Sequence, residues 1–236
     1  MAPLLASLFL LFMSAHAQNI VPNPERVLGR TVPDVYLLDE KGNRKKLSAF
    51  SGGEPLVVSF IYTRCTSACP LIVKGLKEAL SEGSSRVLLI DFDDRDTSAD
   101  LRDFRNKHAI PPRWDIAVAK GENLKRLTEA LDFRFFYDEK TDMFAHPNVL
   151  VVLSPSLKVS GYMLGVNYDR DKLATILTKA KTGKVELGWV RGILLKCFRY
   201  DPVEKTYVID WSFIAMILGG LIPISGMAYY LFKWSV

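Results

Sequence analysis

The segment Leu56-Val57-Val58-Ser59-Phe60-Ile61-Tyr62 restricts the fold more than any other. It does not alternate between apolar and polar residues, so it does not read as a strand with one wet face. Apolar, largely β-branched and aromatic residues pointing both ways call for a strand covered on both faces, as in a parallel or mixed sheet flanked by helices. Val87–Phe92 and Val149–Leu153 have the same character. Between them lie stretches of helical periodicity. Pro70–Leu80 puts Leu71, Ile72, Leu76, Ala79 and Leu80 on one face, and Ser98–His108, Asn123–Leu131 and Asp171–Ala180 follow. Val159–Leu164 is expected to pair with Val149–Leu153 across Ser154-Pro155, and Ile116–Ala119 reads as a short strand. Val32–Leu38 enters a hairpin through the turn Asp39–Asn43. Strands alternating with helices of about ten residues predict an α/β domain with a partly parallel sheet.

The two ends have a different character. Leu4–Met13 is almost wholly apolar and is followed by Ala15-His16-Ala17, a small-x-small site before Gln18. The run is too short to span a bilayer, so residues 1–17 are expected to be a cleaved secretory signal, with an uncleaved N-terminal anchor as the alternative. Residues 18–30 read as an extended lead-in. At the other end, residues 211–232 carry no charge. As a helix they reach about 33 Å, enough to cross a hydrocarbon core. Trp211, Tyr229, Tyr230 and Trp234 are placed as interfacial anchors, and Lys233 follows on the side that keeps positive charge. The expected organisation is therefore a signal (1–17), a folded domain (18–183), a connector (184–210) whose structure the sequence does not determine, and a transmembrane helix (211–232). It places the domain outside the membrane and tethers it by the C-terminal helix.

Composition removes several classes. The chain is 49% hydrophobic, too apolar for a disordered protein. Its 31 basic and 26 acidic residues are dispersed, which gives no footprint for nucleic acid. Three cysteines are too few for a disulfide scaffold.

The chemistry concentrates in Thr63-Arg64-Cys65-Thr66-Ser67-Ala68-Cys69-Pro70, at the junction of the buried strand with a helix. Strand-end loops of α/β sheets are where ligands collect. A helix N-terminus favours thiolate over thiol, and Pro70 suits the first helical turn. Two cysteines four positions apart can close a disulfide or present both sulfurs to one soft metal. Two thiolates suit linear Cu(I), and an added imidazole suits Cu(II) or zinc. Of the three histidines, His16 leaves with the signal and His108, beside Lys107, reads as a solvated surface residue. His146, before Pro147 and the strand Val149–Leu153, sits in a loop able to face the cysteines.

Thr63-x-Cys65-x-x-x-Cys69-Pro70, the loop Asp91-Phe92-Asp93-Asp94-Arg95-Asp96-Thr97 and a lone His146 before a strand resemble the Sco/SenC family. The resemblance runs from about residue 28 to 180, with further matches at Trp114, Gly121, Gly165-Val166-Asn167-Tyr168 and Gly183. It implies a thioredoxin-like sheet flanked by helices and a copper ion, Cu(I) or Cu(II), bound by Cys65, Cys69 and His146. It also implies a partner in the copper-bearing subunit of cytochrome c oxidase. The acidic loop is one residue shorter than the family's D-P-x-R-D-T and lacks its proline. Asp93 then falls at the family aspartate, as a supporting group, against the alternative of a solvated acidic loop. Cys197-Phe198-Arg199-Tyr200-Asp201-Pro202 before a late span resembles bacterial members anchored at the C-terminus. That subgroup implies the bacterial inner membrane, with the domain in the periplasm. Cys197 reads as a free thiol, a redox partner, an added ligand or an inert buried residue.

Delivery of copper is the expected function. A thiol-disulfide reductase acting on oxidase cysteines would use the same redox-active pair, with Cys65 attacking from an exposed loop and Cys69 resolving. A redox or copper sensor is a third class. His146 separates the first two, because thiol exchange does not need it.

Overall fold

A computed structural model describes residues 20, 22–80, 85–183, 198–201, 206–209 and 230. The chain divides into two compact units, residues 1–185 and 186–236.

The first unit is built on a seven-stranded mixed sheet. In chain order it contains α1 (Pro24–Val27), β1 (Tyr36–Asp39), β2 (Arg44–Lys46), α2 (Leu47–Ser51), β3 (Leu56–Ile61), α3 (Ala68–Ala79), β4 (Arg86–Asp91), α4 (Ser98–Lys107), β5 (Trp114–Val118), α5 (Gly121–Ala130), β6 (Phe136–Asp138), β7 (Met143–Ala145), β8 (Val149–Leu153), β9 (Val159–Leu164) and α6 (Arg170–Lys181). The sheet order is β2-β1-β5-β4-β3-β8-β9. β3, β4 and β5 are mutually parallel, and β8 runs antiparallel to both β3 and β9. The ordered set β4-β3-β8-β9, made by a β-α-β unit and a β-β-α unit, is the thioredoxin-like arrangement.

Every residue of β3 and of β8 is buried, as their unbroken apolar runs require. α6 lies along β8 and β9 and touches α3, while α4 lies along β5. Gly75 allows one close approach. A Cβ there would collide with the backbone carbonyl of Val166, so only glycine lets α3 settle against the loop after β9. α4 starts at a reciprocal cap. The Thr97 hydroxyl accepts from the Asp100 N–H, and the Asp100 carboxylate accepts from the Thr97 N–H and hydroxyl.

β6 and β7 form a separate two-stranded sheet, in register Phe136↔Ala145, Tyr137↔Phe144 and Asp138↔Met143. The sequence reading did not anticipate this hairpin, nor the short α1 and α2. In the second unit, β10 (Phe198–Asp201) and β11 (Thr206–Ile209) pair antiparallel, which gives part of the connector a definite structure. Among the described residues no helix is long and apolar enough to cross a membrane. The expected signal (1–17), Cys197 and the expected span, apart from Tyr230, lie outside the described residues.

Candidate metal centre

β3 delivers the cysteine loop. Its register with β4 and β8 fixes where the strand stops, at Ile61 opposite Asp91. The chain then turns, with the Cys65 N–H donating to the Tyr62 carbonyl at 3.2 Å, and α3 opens at Ala68. Thr63 ties the turn to the neighbouring loop. Its N–H and hydroxyl both donate to Asp96 Oδ2, at 3.1 and 2.5 Å.

Both cysteines are free thiols, with Cys65 only 2% exposed and Cys69 fully buried. This corrects the expectation of an exposed pair. Thr66 and Ser67 face solvent, but both cysteines lie in the hydrophobic core. The Cys69 N–H donates to Cys65 Sγ at 3.3 Å. The two thiols share one negative charge. A hydrogen bond from the Cys69 thiol, and against burial further ones from His146 and the backbone of Cys69 and Ser67, bring the Cys65 pKa down to about 3. Cys69 is pushed well up, because its proton is held by Cys65 and it is buried. Burial and the nearby Cys65 charge raise Tyr62 to about 12.

His146 leaves β7 and reaches the same place from the other side. Its ring centroid lies 5.6 Å from that of Tyr62, 5.0 Å from Phe92 and 6.1 Å from Phe133. Nδ1 meets the Pro147 carbonyl at 3.1 Å, which leaves Nε2 as the nitrogen open to a metal. The imidazole packs edge-on against Tyr62, whose acidity the Cys65 charge perturbs, so His146 stands on the cysteine side of the aromatic cluster. Among the described residues no three Cys, His, Asp or Glu side chains are grouped closely enough to hold a metal ion. The donor set is still a good chemical fit for a soft ion: a thiolate, a thiol beside it and one imidazole.

Asp93 is not part of a solvated acidic loop. It is 1% exposed, and Asp91 and Asp96 beside it are also buried. Arg64 forms an ion pair with Asp93 Oδ2. Arg95 donates to Asp93 Oδ1 through Nε at 2.8 Å and to Oδ2 through Nη2 at 3.0 Å. Burial opposes the charge on Asp93, but the Arg95 hydrogen bonds and both guanidinium charges outweigh it, so the carboxyl stays below its usual range. Asp91 goes the other way. Burial and the neighbouring Asp96 charge push it well up, and its Oδ2 has no hydrogen-bond partner. His108 also departs from expectation. It is half-buried against Phe104, 4.4 Å between centroids, and burial together with Lys107 and Lys77 lowers its pKa.

The sequence reading missed the aromatic wall of Tyr62, Phe92, Phe133 and Phe144, and the two arginines on Asp93. The dense aromatic stretch from Phe133 to Phe144, and an arginine on either side of the acidic run, are the signals that pointed to them.

The SCO1/SenC family model matches residues 27–182, most of the chain and nearly all of the first unit. The chain belongs to the SCO1/SenC family. A candidate electron transfer protein from Aquifex aeolicus VF5 is 37% identical over 66% of this chain and 95% of its own, with a TM-score of 0.61. Arabidopsis thaliana ScoI, crystallised with copper bound, is 19% identical over 66% of this chain and 100% of its own, with a TM-score of 0.52. BsSco, described as a Sco-family cytochrome c oxidase assembly protein with a disulfide switch, is 20% identical over 70% of this chain and 99% of its own, at a TM-score of 0.54. The last two likenesses concern the fold alone. No curated protein matches the chain.

Proposed function

We propose that this SCO1/SenC protein is a copper carrier for cytochrome c oxidase assembly, with copper as its cargo. Cys65 and Cys69 hold Cu(I) as a thiolate pair, and His146 adds the nitrogen that Cu(II) requires. The observation that carries this reading is that His146, at the end of the β6–β7 hairpin, packs on Tyr62 beside Cys65, a placement thiol exchange alone does not need. Membership of the family and the copper bound by Arabidopsis thaliana ScoI support it.

The handling of the ion follows from the shared charge. Cys65 is already a thiolate, so loading a metal requires only Cys69 to give up its proton. Release runs in reverse: a partner's thiolate displaces one sulfur at a time, and Cys69 is reprotonated as the ion leaves. The sulfurs are buried, so the imidazole or the hairpin must shift to admit the partner. The copper-bearing oxidase subunit is the partner in this reading. The chain is exported, held by residues 211–232 in a bacterial inner membrane, with its domain in the periplasm.

Thiol-disulfide exchange is the second reading. The opposed thiol pKa values favour it: a thiolate at Cys65 to attack and a protonated Cys69 to resolve. Copper stoichiometry tests the carrier. The reduced protein should bind one copper per chain, and the Cys65–Cys69 disulfide none, because disulfide sulfur is a poor ligand. Equal uptake by the two forms would end the carrier reading.

A further inference from the structure

The hairpin that supplies His146 is poorly secured by its own backbone. Its strands have three residues each, β6 is exposed along its length, and neither strand hydrogen-bonds to the main sheet. A two-stranded ribbon of this kind is marginal in water without further packing. Two kinds of attachment stand out, beside the packing of Phe135, at the hairpin's base, on Phe92. One is apolar: the Phe144 ring sits 5.2 Å from Tyr62 and 5.3 Å from Phe92, centroid to centroid. The other is Arg95. Its guanidinium lies over the rings of Tyr137, at 4.6 Å, and Phe144, at 5.4 Å, and reaches Asp142 at the hairpin turn, at 3.7 Å.

The opposite side of the same guanidinium is engaged on Asp93 by two hydrogen bonds. Asp93 also holds Arg64, the residue before Cys65. A continuous set of contacts therefore runs from the cysteine loop through Arg64, Asp93 and Arg95 to the hairpin and His146. We infer that Arg95 is a positioning residue for His146: it clasps the β6–β7 hairpin to the cysteine loop and so sets where the imidazole stands relative to the two sulfurs. A planar guanidinium suits this task, since its edge donates to a carboxylate while its face covers aromatic rings. A lysine at that position keeps the charge and loses the paired donors and the flat face.

The inference rests on the copper reading for one of its two measurements only. The first needs no metal. In the reduced protein, the rings of Tyr62 and Phe92, 5.6 and 5.0 Å from the imidazole, should displace the His146 ring-proton NMR signals from their free values. Arg95→Ala should move these signals toward the free values, and Arg95→Lys should move them part of the way. His146 signals that stay put in Arg95→Ala overturn the inference, whatever the protein does with copper. The second is a double-mutant cycle on Cu(II). Arg95→Ala should weaken Cu(II) by about 10- to 100-fold, the usual loss when a group orienting a ligand is removed. It should shift the thiolate-to-Cu(II) absorption toward that of His146→Ala and leave Cu(I) binding intact. In a His146→Ala background the same substitution should change Cu(II) affinity by less than about twofold, since Arg95 acts through the imidazole. Additive losses would show that Arg95 acts elsewhere. If His146→Ala alone leaves Cu(II) unchanged, the ligand assignment fails, and the NMR result still decides the role of Arg95.

Discussion

The cysteine loop and the His146 hairpin meet at one site but are held there by different physics. The loop ends a fully buried strand whose register is set on both sides, by six pairs with β4 and four with β8. The hairpin has three pairs of its own and none with the sheet. Its place depends on side-chain contacts, chiefly the half-buried Phe144, Phe135 at its base and the Arg95 guanidinium. Two donors are therefore fixed by the fold, and the third rests on a part that can yield at small cost. A carrier benefits from that inequality: the sulfurs keep the ion while the imidazole comes and goes.

Substituting the donors themselves should have the largest effect and gives the sharpest contrast between the two regions. Cys65→Ser or Cys69→Ser should abolish Cu(I) binding, because a hydroxyl is a hard donor that does not replace thiolate. His146→Ala should leave Cu(I) in place on the two sulfurs and strongly weaken Cu(II). Competition against Cu(I) and Cu(II) chelators separates the two. Equal losses of both ions in His146→Ala would mean that the hairpin is as integral to the centre as the strand.

Packing substitutions should separate the regions next. Gly75→Ala forces a methyl into the Val166 carbonyl, in the body of the fold. It should cost about 1–3 kcal/mol of stability, read by denaturant unfolding, with Cu(II) spectra unchanged in the folded fraction. Phe144→Ala removes the apolar attachment of the hairpin. It should cost less stability, because the ring is only half-buried, while lowering Cu(II) affinity about tenfold through His146. The reverse pattern would refute the distinction between a rigid donor pair and a yielding third donor.

The same contrast governs what the sequence revealed. Strands β3, β4, β8 and β9 and the four long helices were legible because their burial is written in continuous or periodic apolar residues. Val149–Leu153 and Val159–Leu164 have the bounds read from sequence. Cys65, Cys69 and His146 were legible as residue types, and the structure places His146 on Tyr62, beside the cysteine loop. The burial of Cys65 was not, since it depends on Tyr62 and on a hairpin with no periodic signal. The burial of Asp91, Asp93 and Asp96 was equally hidden: an acidic run looks solvated until the arginines and strand end that enclose it are placed.

The shared thiol charge predicts a pH effect of intermediate size. Cys65 is depressed from an ordinary value of 9.0 to about 3, so its contribution to the stability of the reduced fold is full above pH 9 and lost as pH falls toward 3. Reduction of the disulfide then takes up two electrons and one proton, the one that stays on Cys69. The midpoint potential should fall by about 30 mV per pH unit between pH 5 and 8, where an ordinary dithiol falls by about 59. Redox titration in glutathione or dithiothreitol buffers measures this slope. The steeper value would show that both thiols are protonated at neutral pH.

The smallest effect belongs to Asp91, at the end of β4 on the rigid side of the site. Its Oδ1 accepts the Asp93 N–H at 2.9 Å, while its buried Oδ2 has no partner. Burial first, then the charge of Asp96, raise its pKa well above 3.8. The folded state therefore keeps a proton that the unfolded chain releases. Stability from this group is full below pH 3.8 and declines as pH rises through the folded value. Asparagine has the same shape, keeps an oxygen for the Asp93 N–H and carries no charge to suppress. Asp91→Asn should be as stable as the parent near pH 4 and more stable at pH 7, by about 2–4 °C in Tm for a gain of ~1 kcal/mol in a chain of this size. Copper binding should be unchanged, because the group stands behind the sulfurs and touches Asp93 only through the backbone. A lower Tm for Asp91→Asn at pH 7 would mean that the fold uses an ionised Asp91. In that case the strand end would carry a stabilising charge beside its thiolate, and the rigid half of the site would owe part of its rigidity to it.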